Sequence, residues 1–157
     1  MKKELPYCKS EDAITGFENS TLAKFEKNDC VVRSFASAFN MTYDDAHNYV
    51  SNKFKRKTHK GVMFFNETMN KLSLLKTEVN GKTLERVEDL EKKVLVEGFS
   101  RTRRMSVGTF TKKYQKGTYI MSVRGHAFTI KDGVVIGNTE DAKKIRVIVE
   151  SSWKVKD

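Results

Sequence analysis

The sequence predicts an α+β domain in which N-terminal helices come first and a largely antiparallel sheet follows. Three observations carry that prediction. Apolar residues at helical spacing are concentrated in the first half, short β-branched runs predominate in the second half, and Asp132-Gly133 between two of those runs is a strong hairpin signal.

The elements follow in order. Residues 1–27 are polar and of mixed charge and read as an arm packed on the domain, with a short helix around 21–27. Asn28-Asp29 are N-cap residue types, and Val31, Val32, Phe35, Ala36, Ala38 and Phe39 follow at helical spacing, which makes a mostly buried helix with Cys30 in its first turn. Asn40-Met41 breaks it. Thr42 with Asp45 three residues later starts a second helix reaching about Phe54, its Tyr43, Ala46, Tyr49 and Val50 on one face. A third helix is expected over residues 62–75. Asn80-Gly81 marks a turn, after which Val94-Leu95-Val96 is a short apolar run and Ser106 caps a helix over residues 107–115. Strands are expected over 118–123, 127–130, 134–136 and 145–149, with Arg124-Gly125 as a further turn and Trp153 packed on the sheet. The whole reads as one domain over residues 28–157, preceded by the 1–27 arm.

Composition narrows the class. The 157 residues are 38% hydrophobic and 10% aromatic, with ten Phe, enough for a core without disulfides or metal staples. No apolar run is long enough to cross a bilayer, and Met1-Lys2-Lys3-Glu4 leads into no apolar signal segment. The two cysteines, Cys8 and Cys30, lie in no CxxC or Cys/His cluster, so no metal or other cofactor is expected, and the setting is a reduced cytoplasm. Phosphate loops of the GxxxxGK[ST] or GxGxxG type are missing.

The net charge of +10 is concentrated. The stretch from Lys53 to Lys60 and that from Arg101 to Lys116 hold eleven basic residues and no acidic ones, leaving the rest of the chain near neutral. Phe54, Phe110 and Tyr114 interleave with them, an arrangement suited to nucleic acid or to an acidic protein, and equally that of a solvated charged face. A membrane partner is not expected.

Three separated pieces point to chemistry: Asn28-Asp29-Cys30, Gly125-His126-Ala127 and Gly137-Asn138-Thr139. A helix start favours the thiolate that a cysteine nucleophile needs. His126, opening a strand after a Gly turn, supplies an imidazole to take and return the proton. Asn138, beyond the hairpin partner strand, falls nearly opposite His126 and is the candidate to hold the ring in one tautomer. Singly, each has an ordinary reading: Cys30 as core filler, His126 as a structural histidine, Asn138 as a turn residue. His47 and His59 have no ligand spacing, and the adjacent Asp44 and Asp45 point apart on a helix.

The order Cys, His, Asn, with helix first and sheet later, resembles papain-like cysteine peptidases. The Asn-Asp-Cys-Val-Val-Arg block, together with Gly-His-Ala-Phe-X-Ile-X-Asp-Gly-Val-Val, is similar to small papain-fold proteins of bacteriophages. The resemblance covers residues 28–53 and 106–139. It implies a papain-like fold, Cys30 as nucleophile, His126 as general base and acid, Asn138 as orienting residue, and work in the host cytoplasm. Its substrate would be a protein or peptide, cut at a peptide, isopeptide or glutamine amide bond. The alternative is a non-catalytic binding protein on the same scaffold. The family's oxyanion-hole Gln has no counterpart here, since Lys24 stands six residues before Cys30; Asn28 is the candidate donor in its place, with Asn19 a weaker one.

Overall fold

The computed structural model describes residues 4–157, as six helices and two sheets. Strands β1 (Tyr7–Lys9), β2 (Thr83–Arg86), β5 (Thr118–Val123), β6 (His126–Lys131), β7 (Val134–Gly137) and β8 (Ser151–Lys156) form a six-stranded sheet. Their order is β1-β7-β6-β5-β8-β2, antiparallel throughout except for the parallel pair β1–β7. Strands β3 (Glu91–Val96) and β4 (Phe99–Arg104) form a separate hairpin.

Side-chain alternation along β5 and β6 divides the interior into two cores. Ile120, Ala127 and Trp153 face one core with α3 (Cys30–Phe39), α4 (Tyr43–Lys53) and α5 (Phe65–Leu74). Tyr119, Met121, Phe128 and Ile130 face the other, closed by Val107 and Phe110 of α6 (Val107–Lys113). Thr129 is a polar exception on the α3 face. Its hydroxyl donates to the Ser34 carbonyl at 3.0 Å and accepts from Ser37 at 3.0 Å, which fixes α3 against β6 without an unpaired buried polar group.

Three of the helix signals act as read. Asn40 adopts the left-handed conformation and ends α3, Thr42 Oγ1 accepts from the Asp45 amide at 3.1 Å, and Ser106 Oγ accepts from the Thr109 amide at 3.2 Å. The Asp132-Gly133 turn has φ of 49° and 79°, the two positive values of a type I′ hairpin.

Four expectations need correction. The third helix begins at Phe65 because Phe64 sits at φ 55°, which the helix cannot continue through. Residues 145–149 form no strand; only an isolated bridge from Ile148 to Ser106 is present there, and the sixth strand of the sheet is β8, with Trp153 wholly buried in it. Trp153 packs edge-on against Phe65 at 5.6 Å and its Nε1 donates to Asn70 Oδ1 at 3.0 Å. Residues 4–27 are not merely a packed arm. They supply β1 and two short helices, α1 (Ser10–Ala13) and α2 (Thr21–Lys24), and the helix expected around 21–27 stops at Phe25. The run from Lys53 to Lys60 is not a wholly solvated face either, because the Arg56 side chain is 0% exposed. Among the described residues, no helix is long and apolar enough to cross a membrane.

Candidate functional site

Cys30 is the first residue of α3, and the residues before it are tied down individually. Asn28 takes φ 52° and its Nδ2 donates to the His59 carbonyl at 3.0 Å. Asp29 occupies the N-cap position, but its carboxylate does not cap. Oδ2 accepts instead from Tyr43 Oη at 2.8 Å and from Arg33 Nε at 3.0 Å. Burial, with the Asp29 charge second, pushes the Tyr43 phenol far above its ordinary range, so it stays a donor. Arg33 continues the chain of contacts to Ser10 and Glu11, both at 3.0 Å, and lies over the Phe17 ring.

A second polar knot sits behind this loop. Glu26, with a side chain 2% exposed, accepts from Arg56 Nη1 at 2.7 Å and from the His59 amide at 2.9 Å, and lies 2.5 Å from His47 Nε2. Burial alone would raise this carboxyl. The hydrogen bonds from Arg56, His59 and His47 overcome it and hold Glu26 at about 2. Arg56 Nη2 also donates to the Lys27 carbonyl at 2.9 Å, so Lys27 and Asn28, at the start of the approach to Cys30, are fixed to the 56–59 segment.

His126 is the first residue of β6, placed by a two-residue turn in which Gly125 has φ 70°. Its Nε2 lies 2.9 Å from Asp141 Oδ1, off the line of a straight hydrogen bond, so the attraction is chiefly charge on charge. Burial alone would lower the imidazole pKa. The close contacts with Asp141 and Cys30, and the charges of both, push it up to about 9 instead. With Nε2 turned to Asp141, Nδ1 is the nitrogen left for the thiol.

Asn138 is not opposite His126. Strand β7 ends at Gly137, and the chain then turns through a short 3-10 segment, Asp141–Lys143, that carries Asp141 back under the imidazole. Asn138 builds that turn. Its Oδ1 accepts from the Asp141 amide and its own amide donates to Asp141 Oδ2, both at 2.9 Å. Asp141, with a side chain 2% exposed, also accepts from Lys144 Nζ at 2.8 Å on Oδ1. Burial would raise this carboxyl, but the contact with His126 and the bonds from Lys144 and the Asn138 amide keep it below its ordinary range. Gly137 makes room for it: a Cβ there would lie 2.2 Å from Asp141 Oδ2.

Cys30, His126 and Asp141 thus meet from three segments at a cleft of about 950 Å³. Val62, Phe64 and Phe65 give one apolar wall, and Asn66, whose Oδ1 accepts from Ser122 at 2.8 Å, lies beside them. Of the residues singled out in the sequence, Cys30 and His126 are together. Asn138 is adjacent but faces Asp141, and the Asn28 amide is engaged by His59. Asn19 ends a 3-10 turn away from the cleft, and Lys24 ends α2, exposed. Sequence reasoning missed Asp141 and Lys144, and gave Gly137, though part of the third piece, no role of its own. The available signal was the Asn138-to-Asp141 spacing of three, the same reciprocal pattern by which a capping box closes a turn.

No protein-family model matches the chain, and no curated protein or solved structure matches it at a significant level of similarity.

Proposed function

We propose that the protein is a thiol hydrolase of peptide, isopeptide or glutamine side-chain amide bonds, acting in the cytoplasm, as the resemblance to papain-like phage proteins implies. The observation that carries this reading is the meeting of Cys30, His126 and Asp141 at one cleft, with His126 Nε2 held 2.9 Å from a buried carboxylate. Asp141 takes the orienting role first read into Asn138, and Asn138 positions Asp141.

The chemistry follows from these groups. The Cys30 thiol passes its proton to His126, whose imidazolium is stabilised by Asp141, and the sulfur attacks the carbonyl carbon. The tetrahedral oxyanion collapses to a thioester as the imidazolium gives its proton to the departing nitrogen. Water, deprotonated by the neutral imidazole, then attacks the thioester and releases acid and free thiol. The first donor to the oxyanion is the Cys30 backbone N–H at the start of α3.

Alkylation with iodoacetamide, followed by mass spectrometry that resolves Cys30 from Cys8, tests the reading. Cys30 is expected to react faster than Cys8 near neutral pH, and to lose that advantage in His126→Ala. Equal rates for the two thiols, or no effect of His126→Ala in a folded protein, would overturn it. Profiling of a peptide library with the wild type and Cys30→Ala then separates the bond types.

A further inference from the structure

The β3–β4 hairpin is unexplained by the cleft. It lies outside the main sheet, and every β4 residue is exposed. Its two ends differ: near the turn, Leu95 is 79% and Phe99 70% exposed, while the stem is basic. Apolar groups left in water at the tip of an arm mark a contact surface.

The register sorts the side chains. Val96 pairs with Phe99, Val94 with Arg101 and Lys92 with Arg103, and strand alternation puts these six on one face. Glu91, Arg104, Lys93, Thr102, Leu95 and Ser100 take the other, where Glu91 and Arg104 form an ion pair at 3.2 Å. The first face therefore carries three cations and no anion, and none of Lys92, Arg101 or Arg103 has an ion-pair partner among the described residues. Phe99, Arg101 and Arg103 follow one another on β4 at steps of about 7 Å, a length that an extended single strand covers with one nucleotide.

We propose that this face binds single-stranded nucleic acid, with a base stacked on Phe99 and the phosphates running past Arg101 towards Arg103 and Lys92. The turn favours a single strand over a duplex. Glu97 and Gly98, at φ 50° and 81°, form the tip, and driving that tip into a groove would set the Glu97 carboxylate between two phosphate walls. Contact through the flat face leaves Glu97 outside. The proposal stands apart from the thiol reading, since no residue of the cleft takes part.

Fluorescence anisotropy on the full chain tests it, with a labelled oligothymidylate, a duplex of equal length and a polyglutamate peptide as probes. The oligothymidylate should bind with a slope of log K against log salt near about −2, as expected for three phosphates on a single strand. Phe99→Ala should weaken binding about 5- to 100-fold at an unchanged slope, with Phe99→Trp restoring it. Arg101→Gln with Arg103→Gln should flatten the slope by about 1.4. Melting temperatures near that of the wild type would show these variants folded. No binding of oligothymidylate at low salt, duplex or polyglutamate bound as tightly, or variants that bind as the wild type does would each overturn the proposal.

Discussion

Replacing Asp141 by Asn should weaken the fall of stability as pH rises. In the wild type, His126 is raised from 6.5 to about 9. At 1.36 kcal/mol per unit, that shift corresponds to about 3 kcal/mol, reduced to about 2 kcal/mol because the ring is still 24% open to water. A folded-state pKa above the unfolded one contributes stability that is complete below about pH 6.5 and is lost as pH rises through about 9. For a chain of this length the loss amounts to a fall in Tm of about 4–8 °C across that window. Asn at 141 keeps the shape and removes the charge. Burial and Lys144, deprived of its anion, then lower the imidazole pKa, and Cys30 alone still raises it. The His126 midpoint should fall below about 9, so the loss of stability on raising pH should shrink and end at a lower pH. Melting curves of both proteins from mildly acidic to mildly alkaline pH give the slopes, and NMR titration of the imidazole gives the midpoints. The difference between the two proteins isolates His126 from the other groups that titrate in this range. Parallel Tm curves, or a His126 midpoint still near 9 in Asp141→Asn, would refute the argument.

Three further outcomes follow from the same geometry. Gly137→Ala should displace Asp141, cost about 1–3 kcal/mol, lower Tm by about 3–10 °C and bring the His126 midpoint down with it, as read by melting and NMR titration. Lys144→Met removes the competitor for Asp141 Oδ1, so the same titration should find the His126 midpoint above its wild-type value; a fall would contradict the arrangement. Glu26→Gln leaves the buried Arg56 without its anion and should cost about 3–5 kcal/mol by denaturant unfolding. Because Glu26 is held at about 2, its contribution is present above about pH 4.5 and lost as pH falls towards 2, so the variant should lack that part of the acid sensitivity.

Local signals in the sequence were reliable where one residue decides one turn. Asn40, Thr42, Ser106 and Asp132-Gly133 act through their own backbone conformation or a bond three residues away, and each sits where its chemistry places it. What failed depended on contacts between distant segments. Asp29 has the residue type of a cap, yet Tyr43 and Arg33 claim its carboxylate from farther along the chain. Phe64 reads as a helix residue, and only its left-handed backbone excludes it. Ile145 to Val149 looks more strand-like than Ser151 to Lys156, but Ser151 and Ser152 fit the close-packed centre of the sheet, while Val147 and Val149 pack into the core beside Met105 and Leu90 without a ladder. At the site, Cys30 and His126 were legible because their local settings are distinctive. The third group was not, because a turn after β7 reverses the chain and exchanges the roles of Asn138 and Asp141.

The place of β8 in the sheet bears on when the cleft can come into being. The last strand of the chain is an interior one, with β5 on one side and β2 on the other, and β2 pairs with no other strand of that sheet. Helix α5 begins with the apolar residue that faces Trp153, and Phe65 and Asn66 at its start line the cleft. During synthesis the Cys30 helix and the β5–β6–β7 meander emerge well before residue 151. The opposite wall lacks its anchor until β8 has been made. A growing chain therefore carries the thiol and the imidazole without the wall that completes the groove beside them, and synthesis of β8 is itself the step that assembles it.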